Sequence, residues 1–206
     1  MIDIELLLTW GAAYKKASAG ETIFKEGQAC FFYYQLVSGP VRWVNIDDDG
    51  KECIHSIVEP GESFGELPLF DDGVYAATAI VEEDSVITRL HKSSFLELLK
   101  ENSAINLAFT KLVAKRLRFK LAIIKSFASN CSENRITTIL NYLKAENKNV
   151  YNSCNQLNLT RQQIANMTGL RVETVIRAMR NMHNKGELVI AKGKVYCSSM
   201  IEVIMS

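Results

Sequence analysis

The side chains with the most specific chemistry in this sequence lie in one short segment between Thr160 and Met182. An arginine can form two hydrogen bonds with a guanine edge, a glutamate can accept one from the amino group of cytosine, and a valine can contact the methyl group of thymine. The segment carries these side-chain types at Arg171, Val172, Glu173, Ile176, Arg177 and Arg180. They predict a surface that reads base pairs, although Glu173 and Arg177 also have the spacing of a pair on a solvated helix.

Two short helices must position this surface. Thr160 and Gln163 have the spacing of a capping box, which predicts that a helix begins there. Ala165 then provides a small residue at a helix crossing, and Gly169 permits a tight turn. The buried side of the second helix is predicted to contain Val175, Ala178 and Met179. This pattern favours a helix-turn-helix, and the alternative is an ordinary hairpin of two helices.

A two-stranded wing is predicted after the second helix. Glycines at Gly186 and Gly193 separate two short runs of β-type residues, 188–191 and 195–197. Upstream of the helix-turn-helix, residues 147–158 are rich in asparagine and predict a loop with a short strand at Val150 and Tyr151.

Charge is distributed unevenly along the chain. The net charge is only +1, but residues 1–110 hold 8 Lys and Arg against 18 Asp and Glu, whereas residues 111–206 hold 16 against 5. An acidic first half attached to a basic second half is typical of a nucleic-acid-binding module joined to a domain that does not touch nucleic acid.

The first half has the pattern of a small β-sandwich or jelly roll. Runs rich in aromatic and β-branched residues at 31–38, 41–46, 53–58, 75–81 and 85–90 are separated by glycines and by the turn signal Asp48-Asp49-Gly50. The periodicity then becomes helical from about Ser93 to Ser129, with a break near Asn102 and Ser103.

The second part of this helical stretch has two apolar rows, one of which can cover the barrel while the other meets a partner helix. The alternative is a helix buried on both sides in a monomer. We assign the dimer interface to the row Ala114, Leu117, Leu121 and Ile124, which continues to Ala128. The other row contains Ile105, Phe109, Leu112, Phe119 and Ile123.

These patterns predict an α+β protein with an N-terminal β jelly-roll domain, a long dimerisation helix and a C-terminal winged helix-turn-helix. The expected boundaries are 1–102, 103–129 and 130–206, with a polar hinge at 130–134 and a helix from Arg135 to about Glu146. No apolar run approaches the ~20 residues of a membrane span, and the N-terminus lacks the pattern of a secretory signal. We therefore expect a cytoplasmic protein without a membrane partner.

Enzymatic chemistry is not expected. A cupin-type metal site needs several His and carboxylate ligands, and the barrel region has only His55 and His91. Nucleophile elbows and phosphate-binding loops are missing from the sequence. The five cysteines are scattered without metal-type spacing and are interpreted as ordinary thiols. We predict neither catalytic residues nor a metal site.

Two motifs resemble the bacterial Crp/Fnr regulators. The segment Leu-Thr-Arg-Gln-Gln-Ile-Ala-Asn-Met-Thr-Gly-Leu-Arg-Val-Glu-Thr-Val-Ile-Arg from Leu159 is similar to their helix-turn-helix, and Phe-Gly-Glu-Leu-Pro-Leu-Phe from Phe64 resembles the phosphate-binding cassette of cyclic-nucleotide domains. The resemblance implies that Glu173 and Arg177 read bases and that Thr160 and Gln162 bind the phosphate backbone. The DNA-binding surface that we predict consists of Thr160, Arg161, Gln162, Arg171, Val172, Glu173, Thr174, Ile176 and Arg177.

The same resemblance places an effector pocket at Gly65, Glu66, Leu67, Ala76 and Ala77. Members that bind cyclic AMP carry an arginine and a small hydroxyl residue where this chain has the last two, so a cyclic phosphate would lose its bidentate partner. Cyclic AMP is not expected to be the effector. An iron-sulfur cluster is not expected either, because the N-terminal cysteine cluster of oxygen-sensing members is absent. Haem stays open through His55 or His91, and the effector is left unidentified.

The resemblance implies a homodimeric transcription regulator that binds double-stranded DNA, and RNA polymerase if it is an activator. Valine at position 172 is similar to the oxygen-sensing branch, which prefers TTGA half-sites. The alternative function is a ligand- or haem-binding regulatory module that acts through protein partners without DNA.

Overall fold

The computed structural model describes residues 2–128, 131–151 and 154–197. The chain divides into two compact units, Met1–Ala114 and Lys115–Ser206. Within the described residues, no helix is long and apolar enough to cross a membrane.

The first unit contains two four-stranded antiparallel sheets in a jelly-roll arrangement, and short helices flank them. The sheet orders are β1-β8-β3-β6 and β2-β7-β4-β5. The elements in chain order are α1 (Ile4–Thr9), β1 (Ala13–Ala17), β2 (Thr22–Phe24), β3 (Phe32–Ser38), β4 (Val41–Ile46), β5 (Glu52–Val58), β6 (Ser63–Phe64), α2 (Leu67–Asp71), β7 (Thr78–Val81), β8 (Ser85–His91) and α3 (Lys92–Glu101).

Strand β3 is buried on both of its faces. Successive side chains of a strand point to opposite sides of the sheet, so neighbouring residues of β3 enter different layers. Tyr33 stacks on Phe95 of α3, with ring centroids 4.6 Å apart, and Phe95 contacts Phe109 edge-on at 5.4 Å. Tyr34 faces the opposite way and packs against Phe64 of β6 at 5.6 Å. The barrel core therefore lies on one side of this sheet and the helical cover on the other.

The predicted jelly roll is confirmed, but several of its boundaries differ. The strand predicted at 75–81 begins only at Thr78, because the chain from Val74 to Ala77 forms a loop in which Val74 makes an isolated bridge to Ala29. The sequence analysis also missed α1, β1, β2, β6 and α2, which are too short for hydrophobic periodicity to identify them.

The long helix α4 (Ser103–Phe127) follows α3 after the single residue Asn102, in agreement with the break predicted there. Phe109 is buried in the core of the first unit, where Ile105 and Leu112 also pack. The predicted interface row lies on the exposed side of the helix. Its side chains Leu117, Leu121 and Ile124 are 58%, 56% and 61% exposed.

The second unit is a helical domain with one four-stranded antiparallel sheet of order β11-β12-β10-β9. Its remaining elements are α5 (Ser132–Ala145), β9 (Val150–Tyr151), β10 (Gln156–Leu157), α6 (Arg161–Thr168), α7 (Val172–Asn184), β11 (Leu188–Ala191) and β12 (Lys194–Cys197). The predicted hinge is partly wrong, because α5 already begins at Ser132. Its residue Asn130 lies outside the described residues, as does Ser129.

Candidate nucleic-acid interface

Helix α6 begins with the capping box that the sequence predicts. The hydroxyl of Thr160 accepts a hydrogen bond from the amide of Gln163 at 3.0 Å, and the Gln163 side chain accepts one from the amide of Thr160 at 2.9 Å. These reciprocal bonds satisfy amides that have no partner inside the helix. They fix the direction of the first turn, on which Arg161 and the exposed Gln162 lie.

The turn between the two helices is built on Gly169, whose φ is +68°. This left-handed conformation is readily adopted by glycine and disfavoured for other residues. Ala165 is almost fully buried, and its carbonyl accepts from the amide of Leu170 at 3.2 Å. Val175 of α7 is fully buried in the same core. The helix-turn-helix is therefore confirmed.

The two faces of α7 have opposite character. Its buried side consists of Val175, Ala178, Met179 and Met182. The other side exposes Arg171, Glu173, Arg177 and Arg180, with Val172, Thr174 and Ile176 half-buried between them. The alternative pairing of Glu173 with Arg177 does not occur, since among the described residues neither side chain makes a salt bridge. These hydrogen-bonding groups remain available to an external partner.

The wing is attached to both ends of the motif. Strands β11 and β12 pair from Leu188 with Cys197 to Ala191 with Lys194, so Lys192 and Gly193 form a two-residue turn. The guanidinium of Arg161 donates a hydrogen bond to the carbonyl of Gly193 at 3.4 Å. Burial lowers the pKa of Arg161 below its usual range. The sequence analysis missed this contact, because its partners are 32 residues apart.

The far end of α7 is held by the rest of the unit. Lys185 forms a salt bridge with Glu133 at the start of α5, which lowers the pKa of Glu133 and raises that of Lys185. His183 contacts the backbone of the wing, with Nδ1 3.3 Å from the carbonyl oxygen of Leu188 and 3.4 Å from the amide of Ile190. These contacts fix α7 relative to α5 and the wing.

The residues assigned to the effector pocket lie around the start of α2 and the loop before β7. Gly65 has a φ of +68°. Glu66, the N-cap residue of α2, is 99% buried. Leu67 is exposed. Ala76 is exposed and Ala77 is buried, so the two alanines face different environments.

Profiles of two known domains match most of the chain. The cyclic nucleotide-binding domain matches residues 14–102, and the Crp-like helix-turn-helix domain matches residues 134–197. The chain belongs to the Crp/Fnr family of transcription regulators. Members of this family are DNA-binding regulators of transcription and not enzymes, in agreement with the sequence analysis.

Relatives in the Crp/Fnr family match along nearly the whole chain. The cAMP-activated global transcriptional regulator CRP of Pasteurella multocida is 28% identical over 197 residues, covering 93% of this chain and 94% of the relative. The cyclic AMP receptor protein of Thermus thermophilus is 26% identical, in an alignment that covers 85% of this chain and 79% of the relative. The structure of FixK2 from Bradyrhizobium japonicum has the same fold, with a TM-score of 0.73, 21% identity and coverage of 91% and 92%.

A cyclic nucleotide, which the Crp/Fnr fold implies, does not fit the pocket of this chain. Four buried aromatic rings occupy the barrel next to the cassette. They are those of Phe24, Tyr34, Phe64 and Tyr75. A Cβ atom on Gly65 would come within 2.4 Å of the Phe24 ring and 3.1 Å of the Tyr75 ring. Burial raises the pKa of both tyrosines. Ala76 and Ala77 stand at the two positions where the resemblance implies the cation and the hydroxyl that bind the cyclic phosphate.

The two barrel histidines make local contacts. His55 bonds Asn45 on the neighbouring strand β4. His91 caps α3, because its Nδ1 accepts a hydrogen bond from the amide of Ser93 at 3.4 Å. Nδ1 also lies 2.9 Å from the Ser93 hydroxyl, and the ring meets Phe32 edge-on at 5.6 Å. These contacts favour the interpretation of both residues as structural histidines over a role as haem ligands.

Proposed function

We propose that this Crp/Fnr regulator binds, as a homodimer, a palindromic operator with two TTGA-like half-sites about one helical turn apart. The observation that carries the proposal is the outer face of α7, where Arg171, Glu173 and Arg177 are exposed while the opposite face is buried. A recognition helix of this kind enters the major groove and contacts base edges with its N-terminal residues.

Each residue on this face has a distinct role in the proposal. Arg177 bonds the core guanine, and Glu173 accepts from the cytosine opposite. Val172 contacts a thymine methyl, where members with an arginine at this position read guanine in a TGTGA half-site. Arg171 and Thr174 lie where they can reach the backbone, and Ile176 faces the base pair next to the core.

Phosphate contacts from the first helix fix the protein on the duplex. Thr160 and Gln162 lie at the N-terminal turn of α6, where free amides and the helix dipole attract anions. Arg161 belongs to the same turn, but its guanidinium already bonds the wing.

Dimerisation through α4 supplies the two-fold symmetry that a palindrome requires. The row Ala114, Leu117, Leu121 and Ile124 is exposed along the helix, and each buried leucine or isoleucine contributes about 1.5–3 kcal/mol. A second copy of the same helix is the partner that this row fits, because matching rows at coiled-coil spacing bury each other.

Control by a signal at the barrel completes the proposal. A signal that favours one orientation of the two DNA-binding domains would place both recognition helices in successive major grooves. The aromatic cluster argues that this signal is not cyclic AMP. At activated promoters the further partner is RNA polymerase.

The direct test is fluorescence anisotropy with a labelled duplex that carries two TTGA half-sites. We expect specific binding that is at least ~10³-fold tighter than binding to a scrambled duplex at the same salt concentration. Equal affinity for both duplexes would contradict the operator. A Glu173→Ala variant should lose specific binding, and Lys144→Gln on α5 is a control for the loss of a charge elsewhere in the unit.

A further inference from the structure

Helix α4 carries charges of one sign only. Between Ser103 and Phe127 it contains basic residues and neither aspartate nor glutamate. The basic residues are Lys111, Lys115, Arg116, Arg118, Lys120 and Lys125. Opposite charges three or four residues apart stabilise a solvated helix, and like charges at these spacings destabilise it. The cations of α4 therefore depend on carboxylates outside the helix for neutralisation.

The exposed row of α4 determines which of these cations border the dimer seam. In the seven-residue repeat of a coiled coil, Ala114 and Leu121 take position a, and Leu117 and Ile124 take position d. Positions e and g lie on either side of such a seam and face the partner helix. Position e is then occupied by Lys111, Arg118 and Lys125, and position g by Asn106, Val113, Lys120 and Phe127.

A parallel dimer brings two of these cations together. A palindromic operator requires both DNA-binding domains at the same end of the dimer, so the two α4 helices run parallel. Each g residue then lies beside the e residue that is five positions further along the partner helix. Lys120 faces the partner's Lys125, and two-fold symmetry repeats this pair across the seam. The remaining pairs have one uncharged member each, namely Asn106 with Lys111 and Val113 with Arg118.

The surroundings of these lysines differ from those of Lys115 on another side of the helix. Lys115 has a carboxylate partner, because it forms a salt bridge of 3.3 Å with Glu146. Lys125 is exposed and forms no salt bridge with any residue that the structure describes. The ammonium nitrogen of Lys120 lies 5.9 Å from the centre of the Phe119 ring, a contact that leaves its positive charge in place. Both sides of the seam are therefore positively charged.

We propose that the facing pair of Lys120 and the partner's Lys125 opposes dimerisation through α4, so that the dimer is weaker than its apolar row alone would make it. This inference rests on the proposed function, because it requires a parallel dimer. Since only the dimer presents two recognition helices, occupancy of the operator then depends on the concentration of the protein. The monomer–dimer equilibrium thereby becomes a step at which DNA binding is controlled.

Reversal of one charge at a time tests the pair. Lys120→Glu and Lys125→Glu each convert both like-charge pairs of the dimer into ion pairs. Each variant is expected to lower the dimer dissociation constant about 10-fold, because an exposed pair changes affinity by a factor of a few and the dimer contains the pair twice. The double variant places glutamate opposite glutamate and should return to the natural value. Analytical ultracentrifugation over a range of protein concentrations measures these constants.

Lys111→Glu is the matched control for the two single reversals. It changes the same residue type at the same repeat position as Lys125, and the partner's Asn106 opposite it is uncharged. Its effect on the net charge of the chain is the same as that of the other reversals. The dissociation constant of this variant is expected to equal that of the natural protein, which separates a local pair from the overall charge.

Salt provides a second readout that a change in helix stability would not produce. Because salt screens exposed charges, the natural dimer should tighten between about 50 and 200 mM sodium chloride, whereas the Lys120→Glu dimer should loosen. Equal effects of all three single reversals, or a double variant that sums the two single effects, would overturn the inference. A natural protein that stays monomeric at every concentration would instead overturn the dimer of the proposed function.

Discussion

The ring of Phe24 stacks on the ring of Tyr75, with centroids 3.8 Å apart and 9° between their planes. Both rings lie against Gly65, the glycine of the cassette, so that any side chain there would collide with them. Phe24, at the end of β2, and Tyr75, in the loop before β7, form one aromatic cluster with Tyr34 and Phe64. A packed aromatic cluster therefore lies directly against the glycine of the cassette.

Cyclic AMP is expected to bind with a dissociation constant no tighter than about 1 mM, because neither Ala76 nor Ala77 can bond a cyclic phosphate. Isothermal titration calorimetry measures this affinity directly. Micromolar binding would contradict the prediction. In that case Arg89, whose guanidinium lies 5.1 Å from the centre of the Phe32 ring, is the cation to replace with alanine.

The packing against Gly65 predicts a large effect of one methyl group. Gly65→Ala should lower the free energy of unfolding by about 2–4 kcal/mol, since overpacking adds to the strain of a left-handed alanine. Gly27→Ala is the matched control, because Gly27 also has a positive φ, +78°, but no atom lies within 4 Å of its added Cβ. Chemical denaturation should show a clearly smaller loss of unfolding free energy for the control. Equal losses would mean that the aromatic rings move aside for the added methyl group at little energetic cost.

Disruption of the exposed row on α4 should dissociate the dimer. Leu117→Glu combined with Leu121→Glu places like charges in the seam of two identical helices, and light scattering should then give the mass of a monomer. Phe31→Glu, at a residue that is 61% exposed in the first unit, is the control and should stay dimeric. A dimer that survives the double substitution would place the interface elsewhere.

DNA affinity should fall steeply with salt concentration, because the basic half of the chain, with 16 Lys and Arg against 5 Asp and Glu, displaces counterions from phosphate. A dimer that contacts 6–10 phosphates is expected to lose roughly 10³–10⁵ in affinity between 50 and 200 mM salt. Anisotropy titrations at several salt concentrations measure the slope. Affinity that persists at high salt would remove the electrostatic basis of binding.

Local signals in the sequence predicted more of the molecule than long-range ones. The capping box at Thr160 and the turn at Gly169 were predictable because each depends on residues within a few positions of each other. The bond of Arg161 to Gly193 and the stack of Phe24 on Tyr75 join residues far apart in the chain. Only the folded sheets and helices bring such pairs together, so residue types and spacing did not reveal them.

The identity of the base readers predicts how specificity changes on substitution. Arg177→Ala should cost roughly 1–3 kcal/mol of binding free energy and relax the preference at the core guanine. Val172→Arg should shift the preference from TTGA towards TGTGA, because arginine bonds the guanine edge where valine contacts a thymine methyl. Competition between the two duplexes, measured for each variant, checks both changes.

Selection of bound sequences from random double-stranded DNA by the unaltered protein tests the central claim most directly. The account predicts a palindrome of two TTGA-like half-sites about one helical turn apart. Enrichment of TGTGA would contradict the role of Val172 but would not contradict the assignment of the helix-turn-helix. A selection that enriches no motif at all would contradict sequence-specific DNA recognition by α7.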